Sequence, residues 1–187
     1  MKKVTMITGN MGKWKIASDI FKKYNVELEH IKMDTPEIQS HDVEEVSKYS
    51  AEYASNKLNI PVIKSDVGYY IEELGGFPGP FLRYINDMLE SEDILKMMEG
   101  KENRKIVLKE CLTFSCPNKE SVQFINIEEA TLALKAEGEG STFDRIVVFK
   151  NQDHPKSMNT VEENYKHFEE SLKIYDDVAK YIEEVEE

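Results

Sequence analysis

The stretch from Lys3 to Ile31 constrains the fold more than any other part of the chain. Val4, Met6 and Ile7 lie between a charged start and a glycine stop, so Lys3 to Thr8 reads as a short buried strand. From Met11 to Lys23 the apolar positions Trp14, Ala17, Ile20 and Phe21 recur at near-helical spacing, and Asn10 supplies an N-cap. Val26 to Ile31 then alternates Val26, Leu28 and His30 against Glu27, Glu29 and Ile31, a second strand. Two strands joined by a helix run parallel, because a tight hairpin cannot connect them. The chain is thereby committed to an α/β fold with a sheet that is at least partly parallel.

The rest follows the same periodicities. Met33 to His41 is a loop pinned by Pro36, Asp42 to Leu58 a helix, and Pro61 to Ser65 a strand that ends at Asp66. The cluster Leu74-Gly75-Gly76-Phe77-Pro78-Gly79-Pro80 stops regular structure. Helices are expected over Phe81 to Leu89 and Ser91 to Met98, and an antiparallel hairpin over Lys105 to Ser115 and Ser121 to Ile127. Further strands are expected at Thr131 to Ala136 and Arg145 to Phe149. The last helix, Glu169 to Glu186, presents Leu172, Tyr175, Val178, Ala179 and Ile182 on one face. With 187 residues, one core suffices, so residues 1–187 read as a single α/β domain.

Charge and cysteine content narrow the partners. A net charge of -12 repels nucleic acid and acidic membranes, so an anionic ligand has to be small and locally neutralised. Cys111 and Cys116 are too few for a disulfide framework, which fits a reducing cytoplasm. The first apolar run breaks at Thr8 and Gly9, shorter than the apolar core of a secretion signal, and no membrane span follows it.

Three segments carry chemistry. Thr8-Gly9-Asn10 places backbone amides and a helix N-terminus where an anion can sit, with Lys13 one turn on; the same residues also suit an ordinary turn and N-cap. Asp34-Thr35-Pro36-Glu37-Ile38-Gln39 holds a carboxylate in a proline-stiffened turn, and Ser65-Asp66-Val67-Gly68 holds another at a strand end. Ligands of open α/β sheets collect beyond the carboxyl ends of parallel strands, where all three segments are expected. Paired carboxylates there suit magnesium, which completes its shell with water and phosphate; singly, Glu37 and Asp66 read equally as solvated loop acids.

In that order the segments, with Leu74-Gly75-Gly76-Phe77-Pro78-Gly79-Pro80, resemble the inosine triphosphate pyrophosphatase family, also called Ham1. The likeness covers the first half of the chain and brings in Glu52-x-Ala54-x-x-Lys57. It implies an α/β fold with an elongated, mixed, twisted sheet flanked by helices, two lobes around a central cleft, and a homodimer. It implies hydrolysis of a nucleoside triphosphate such as ITP, XTP or dITP to the monophosphate and pyrophosphate, with Mg2+ or Mn2+ as cofactor. On the matching residues, Glu37 is a metal ligand and Asp66 a ligand or the base that orients water. Lys13 and Lys57 neutralise phosphate oxygens, and Thr8, Gly9 and Asn10 shape the phosphate loop.

Departures also stand out. Ile16 replaces a glutamate of the family, and Lys64 and Ser65 precede Asp66 where acidic residues are usual. Ser141-Thr142-Phe143-Asp144-Arg145 lacks the first aromatic of the family's Phe-Gly-aromatic-Asp-Pro, and Lys166-His167-Phe168 stands for Ser-His-Arg, with Glu163 in place of a lysine. Asp144 and His167 remain the candidate base contacts; each also reads as a solvated polar residue. Phosphate chemistry is independent of the base, so two functions follow: a pyrophosphatase with a rebuilt base pocket, or a nucleotide-binding protein of the same fold that has lost turnover.

Overall fold

The computed structural model describes residues 1–171 and 173–185. Leu172 and Glu186, which the sequence places in the last helix, lie outside the described residues, as does the side chain of Phe168. The strands are β1 (Lys2–Ile7), β2 (Val26–Ile31), β3 (Val62–Ile71), β4 (Phe77–Gly79), β5 (Lys105–Ser115), β6 (Val122–Leu132) and β7 (Val147–Phe149). The helices are α1 (Met11–Phe21), α2 (Val43–Leu58), α3 (Leu82–Met88), α4 (Ser91–Met97), α5 (Val161–Ser171) and α6 (Lys173–Glu184). Hydrogen bonding orders the sheet β2-β1-β3-β5-β6-β7, with β4 on β3. Strands β1, β2 and β3 pair in parallel, as the β1-α1-β2 reading requires.

The chain divides into two compact units, the first formed by residues 1–66, 110–126 and 169–187, the second by 67–109 and 127–168. In the first, β1 is buried from Val4 to Ile7, the mark of a strand covered on both faces. Val4, Met6 and Ile63 face α1 and α6, where Ala17, Ile20, Phe21, Ile174, Val178 and Ile182 complete the core. Ile7 and Val62 face the other way, onto Ala54 of α2. That helix lies against the sheet through small residues, Ser47, Ser50, Ala51, Ala54 and Ser55, all buried. In the second unit Tyr69, Ile71, Ile94, Met98, Ile106, Leu132, Phe143, Ile146 and Phe149 form the core, with Tyr69 edge-on to Phe143 at 5.5 Å.

Several elements differ from the sequence reading. Strand β3 does not stop at Asp66; it continues to Ile71, because Tyr69 and Ile71 find a second core to enter. The glycine and proline cluster contains β4, antiparallel to β3, rather than only irregular chain. Residues Thr131 and Leu132 belong to the end of β6 rather than to a strand of their own, and β6 there pairs antiparallel with β7. The last helix is two, α5 and α6.

Candidate active site

Alternation along β3 organises the site in the first unit. Successive side chains of a strand point to opposite faces, so Lys64 and Asp66 share the α2 face with Val62, while Ser65 shares the α1 and α6 face with Ile63. The β1-β3 register pairs Thr5 with Val62 and Met6 with Ile63. Continued in step, it sets Asp66 level with Gly9, beyond the carboxyl end of β1, although Asp66 itself lies in the interior of its own strand.

On the α1 and α6 face, Lys13 Nζ donates to Ser65 Oγ at 2.9 Å and to Glu110 Oε1 at 3.3 Å. The hydroxyl of buried Tyr175 of α6 lies 3.4 Å from both Ser65 Oγ and Glu110 Oε1, and its one proton is donated to the Glu110 carboxylate. Burial, then the Glu110 charge, push the Tyr175 phenol far above its usual range, so it stays protonated and acts as a donor. An ammonium has three N–H donors, and Lys13 therefore keeps one for an incoming anion.

The bend itself is more occupied than its sequence suggests. Asn10 caps α1, its side chain accepting from the amides of Gly12 at 2.9 Å and Lys13 at 3.1 Å. Asn10 N donates to Thr8 Oγ1, and Thr8 N to Ile31 O. Among the described contacts, the amides of Gly9 and Met11 are the ones left without an acceptor. The turn reading and the anion reading thus both hold, on different amides.

On the α2 face, Lys64 Nζ donates to both carboxylate oxygens of Asp66, at 2.8 and 2.9 Å, and Ser50 Oγ adds a bond to Oδ2 at 3.3 Å. The pair is largely enclosed, with side-chain exposures of 11% and 17%. Ser47 Oγ reaches the carbonyls of Lys64 and Cys111 and the Thr113 hydroxyl, holding α2, β3 and β5 together beneath it. Burial pushes the Cys111 thiol up, which favours the neutral thiol over the thiolate.

Lys13 and Asp66 consequently occupy opposite faces of β3, meeting only through the backbone of Ser65 and Asp66. Glu37 is exposed on the loop after β2. Lys57 is exposed and turned toward Tyr53, its Nζ donating to the phenol at 3.2 Å. It follows Ser50 by two helical turns, about 10 Å along α2, so it is not brought to Asp66.

The expected resident metal pair, Glu37 with Asp66, does not fit these donors. Asp66 is already neutralised by an ammonium on both oxygens, and the described residues hold no group of three His, Cys, Asp or Glu arranged for a metal ion.

Asp144 and His167 belong to the second unit. Asp144 accepts from Ser141 N at 3.2 Å and Ser141 Oγ at 2.8 Å, and pairs with Lys156 at 2.7 Å. Burial pushes its carboxyl up, but the Lys156 ammonium and the Ser141 bonds outweigh that and hold it below the usual carboxylate range. On Lys156, burial pulls down and Tyr69 and Asp144 more than reverse it. His167 stacks on Phe149 with ring centroids 3.9 Å apart and pairs with Glu128 at 3.3 Å.

Sequence reasoning missed Lys64, Ser50, Glu110 and Tyr175 as members of the first cluster and Lys156 as a member of the second. A signal existed for Lys64, since residues two apart in a strand share a face.

The sequence profile of the Ham1 family matches residues 4–170. A dITP/XTP pyrophosphatase of Methanopyrus kandleri is 38% identical over 165 residues, 88% of either chain. One of Methanothermobacter marburgensis is 34% identical over 176 residues, 92% of this chain and 94% of the other. The fold is similar to that of the Staphylococcus aureus Ham1 protein, with TM-score 0.81 at 21% identity over 96% of this chain and 99% of the other. It is likewise similar to a HAM1 protein from Coxiella burnetii, with TM-score 0.83 at 14% identity over 99% of this chain and all of the other, 100%.

Proposed function

Because the chain belongs to the Ham1 family, we propose that it hydrolyses dITP, XTP and ITP to the nucleoside monophosphate and pyrophosphate. The observation that carries this reading is the reach of Lys13 from the bend after β1 to Ser65, the neighbour of Asp66 on β3. That contact sets a cation on one face of β3 and the two amides still open in the bend beyond the end of β1, level with Asp66 on the other face, so the proposed triphosphate lies across the end of β1 between them.

In the proposed reaction the triphosphate lies at the bend. The third proton of Lys13 and the amides of Gly9 and Met11 draw negative charge off its oxygens, which lowers the barrier to attack by a nucleophile. A carboxylate accepts about four hydrogen bonds. Lys64 takes two of those on Asp66 and Ser50 a third, leaving one on Oδ1 for a water. That water attacks the α-phosphorus, the bond to the bridging oxygen breaks, pyrophosphate leaves, and Asp66 takes the water's proton.

Magnesium, or manganese in its place, enters this scheme on the triphosphate as part of the substrate. Bound so, it takes one or two carboxylates alongside water and phosphate, and Glu37 is the proposed carboxylate. Lys57 is left for the outer phosphates or for the surface, and Asp144 and His167 for the base. The protein is proposed to act as a homodimer in the cytoplasm, where two free cysteines are stable.

The test is release of pyrophosphate from XTP, dITP, ITP and the common nucleoside triphosphates with magnesium present. Pyrophosphate and monophosphate are expected from the first three in preference to the others. Tight nucleotide binding measured by calorimetry, without turnover of any of them, would establish the binding-protein reading instead.

A further inference from the structure

Lys64 stands beside Val62 and Asp66 on the α2 face of β3, and it is buried to 9% exposure. A buried ammonium there is stabilised by a carboxylate, and its partner is two residues along the same strand. The pairing is bidentate, with one donor on each carboxylate oxygen, and Ser50 from α2 fills a further position. Ser50 is itself fully buried, and its one hydroxyl proton is shared between Ser47 O at 3.1 Å and Asp66 Oδ2 at 3.3 Å, so α2 contributes to holding the carboxylate. A hard divalent cation seeks a carboxylate that brings uncompensated negative charge and an open coordination position. Asp66 has its charge compensated by the Lys64 ammonium on both oxygens, and the one position still open, on Oδ1, is the one that holds water.

We propose that the Lys64 ammonium occupies the place of a metal ion at Asp66, so that this carboxylate positions water without ligating a divalent cation. The proposal rests on the pyrophosphatase reading only for the purpose it gives Asp66. The cation arrangement itself is a property of the nucleotide-free protein. Its chemical consequence is that the charge holding Asp66 in place is covalently part of the chain and cannot be removed by a chelator. Divalent metal is then needed at the triphosphate alone.

Mn2+ binding to the nucleotide-free protein, followed by the paramagnetic resonance of free Mn2+, tests this on four proteins: wild type, Asp66→Asn, Lys64→Met and the double variant. Asp66→Asn is expected to leave wild-type Mn2+ affinity unchanged. Lys64→Met is expected to raise it about tenfold or more, since a unit positive charge in contact with the carboxylate is gone. The double variant is expected to return to the wild-type value. The thermal midpoint of Lys64→Met should rise with Mn2+ in step with that binding.

A loss of about tenfold on Asp66→Asn in the presence of Lys64 would overturn the proposal. So would a folded Lys64→Met protein that gains no affinity. If Lys64→Met does not fold, Lys64→Gln keeps a hydrogen-bond donor without the charge and is read in the same way; the wild-type comparison with Asp66→Asn decides on its own. Pyrophosphate release is measured separately. Its absence with the metal pattern intact rejects the pyrophosphatase reading alone, and turnover with an Asp66-dependent metal site rejects this proposal alone.

Discussion

Gly9 separates what the fold needs from what a ligand needs. A Cβ built at this position meets only Lys32 Cε, at 3.8 Å, an ordinary contact, and the backbone is not in the left-handed region. Gly9→Ala is therefore expected to change stability by less than about 0.5 kcal/mol in urea unfolding. If a triphosphate oxygen approaches the Gly9 amide, the same substitution should raise KM for the nucleotide several-fold. An unchanged KM would place the phosphates elsewhere. Asp66, Lys13 and the bend are legible in the sequence because motif order marks them. The Lys64 pairing is legible only in the two-residue spacing that puts both side chains on one face, and not in the motif, where acidic residues are usual before Asp66. For Lys57, its place in a motif says nothing of how far along α2 the helix carries it from Ser50.

At the scale of elements, β3 decides most. Its first half follows from Val62 and Ile63, but its continuation past Asp66 depends on Tyr69 and Ile71 entering a core whose other members lie far along the chain. Local periodicity carries no such information, and the same holds for β4, whose glycines and prolines read as punctuation. The parallel β1-α1-β2 unit is legible because its partners are adjacent in sequence.

The Asp144–Lys156 pair ties the segment after β6 to the turn after β7, with Ser157 N donating to Asp144 O at 2.8 Å. A carboxyl held below its usual value contributes stability that is present above its unfolded pKa of about 3.9 and lost as pH falls through the lower folded value. A raised lysine contributes below about pH 10.4 and loses its contribution as pH rises through the folded value. Lys156→Met should therefore flatten both the acid and alkaline ends of the stability profile measured by thermal unfolding against pH. A variant profile parallel to that of the wild type at both ends would show that the pair contributes nothing.

For the whole molecule, the excess of acidic residues opposes every anionic ligand at long range. With a net charge of -12, encounter with a triphosphate is repulsive until salt screens it or the local cations take over. Raising ionic strength from about 0.01 M to about 0.15 M shortens the screening length from roughly 30 Å to roughly 8 Å. kcat/KM is expected to rise over that range; a steep fall would mean that the local positive field of Lys13 extends further than the global one. Among the described residues no helix is long and apolar enough to cross a membrane. The α/β class and the family resemblance are legible at this scale from the first half of the chain alone. The division into two compact units is not, because β3, β5 and β6 each pass from one unit to the other without a break in their periodicity.

Water held by Asp66 attacking the α-phosphorus is the central step proposed, and its most direct measurement is the rate of pyrophosphate release from XTP by the wild-type protein and by Asp66→Asn. Wild type is expected to release pyrophosphate and xanthosine monophosphate in equal amounts, with Asp66→Asn slower by about a hundredfold or more while folded and able to bind nucleotide. Equal rates from the two proteins, or release of inorganic phosphate instead of pyrophosphate, would contradict it.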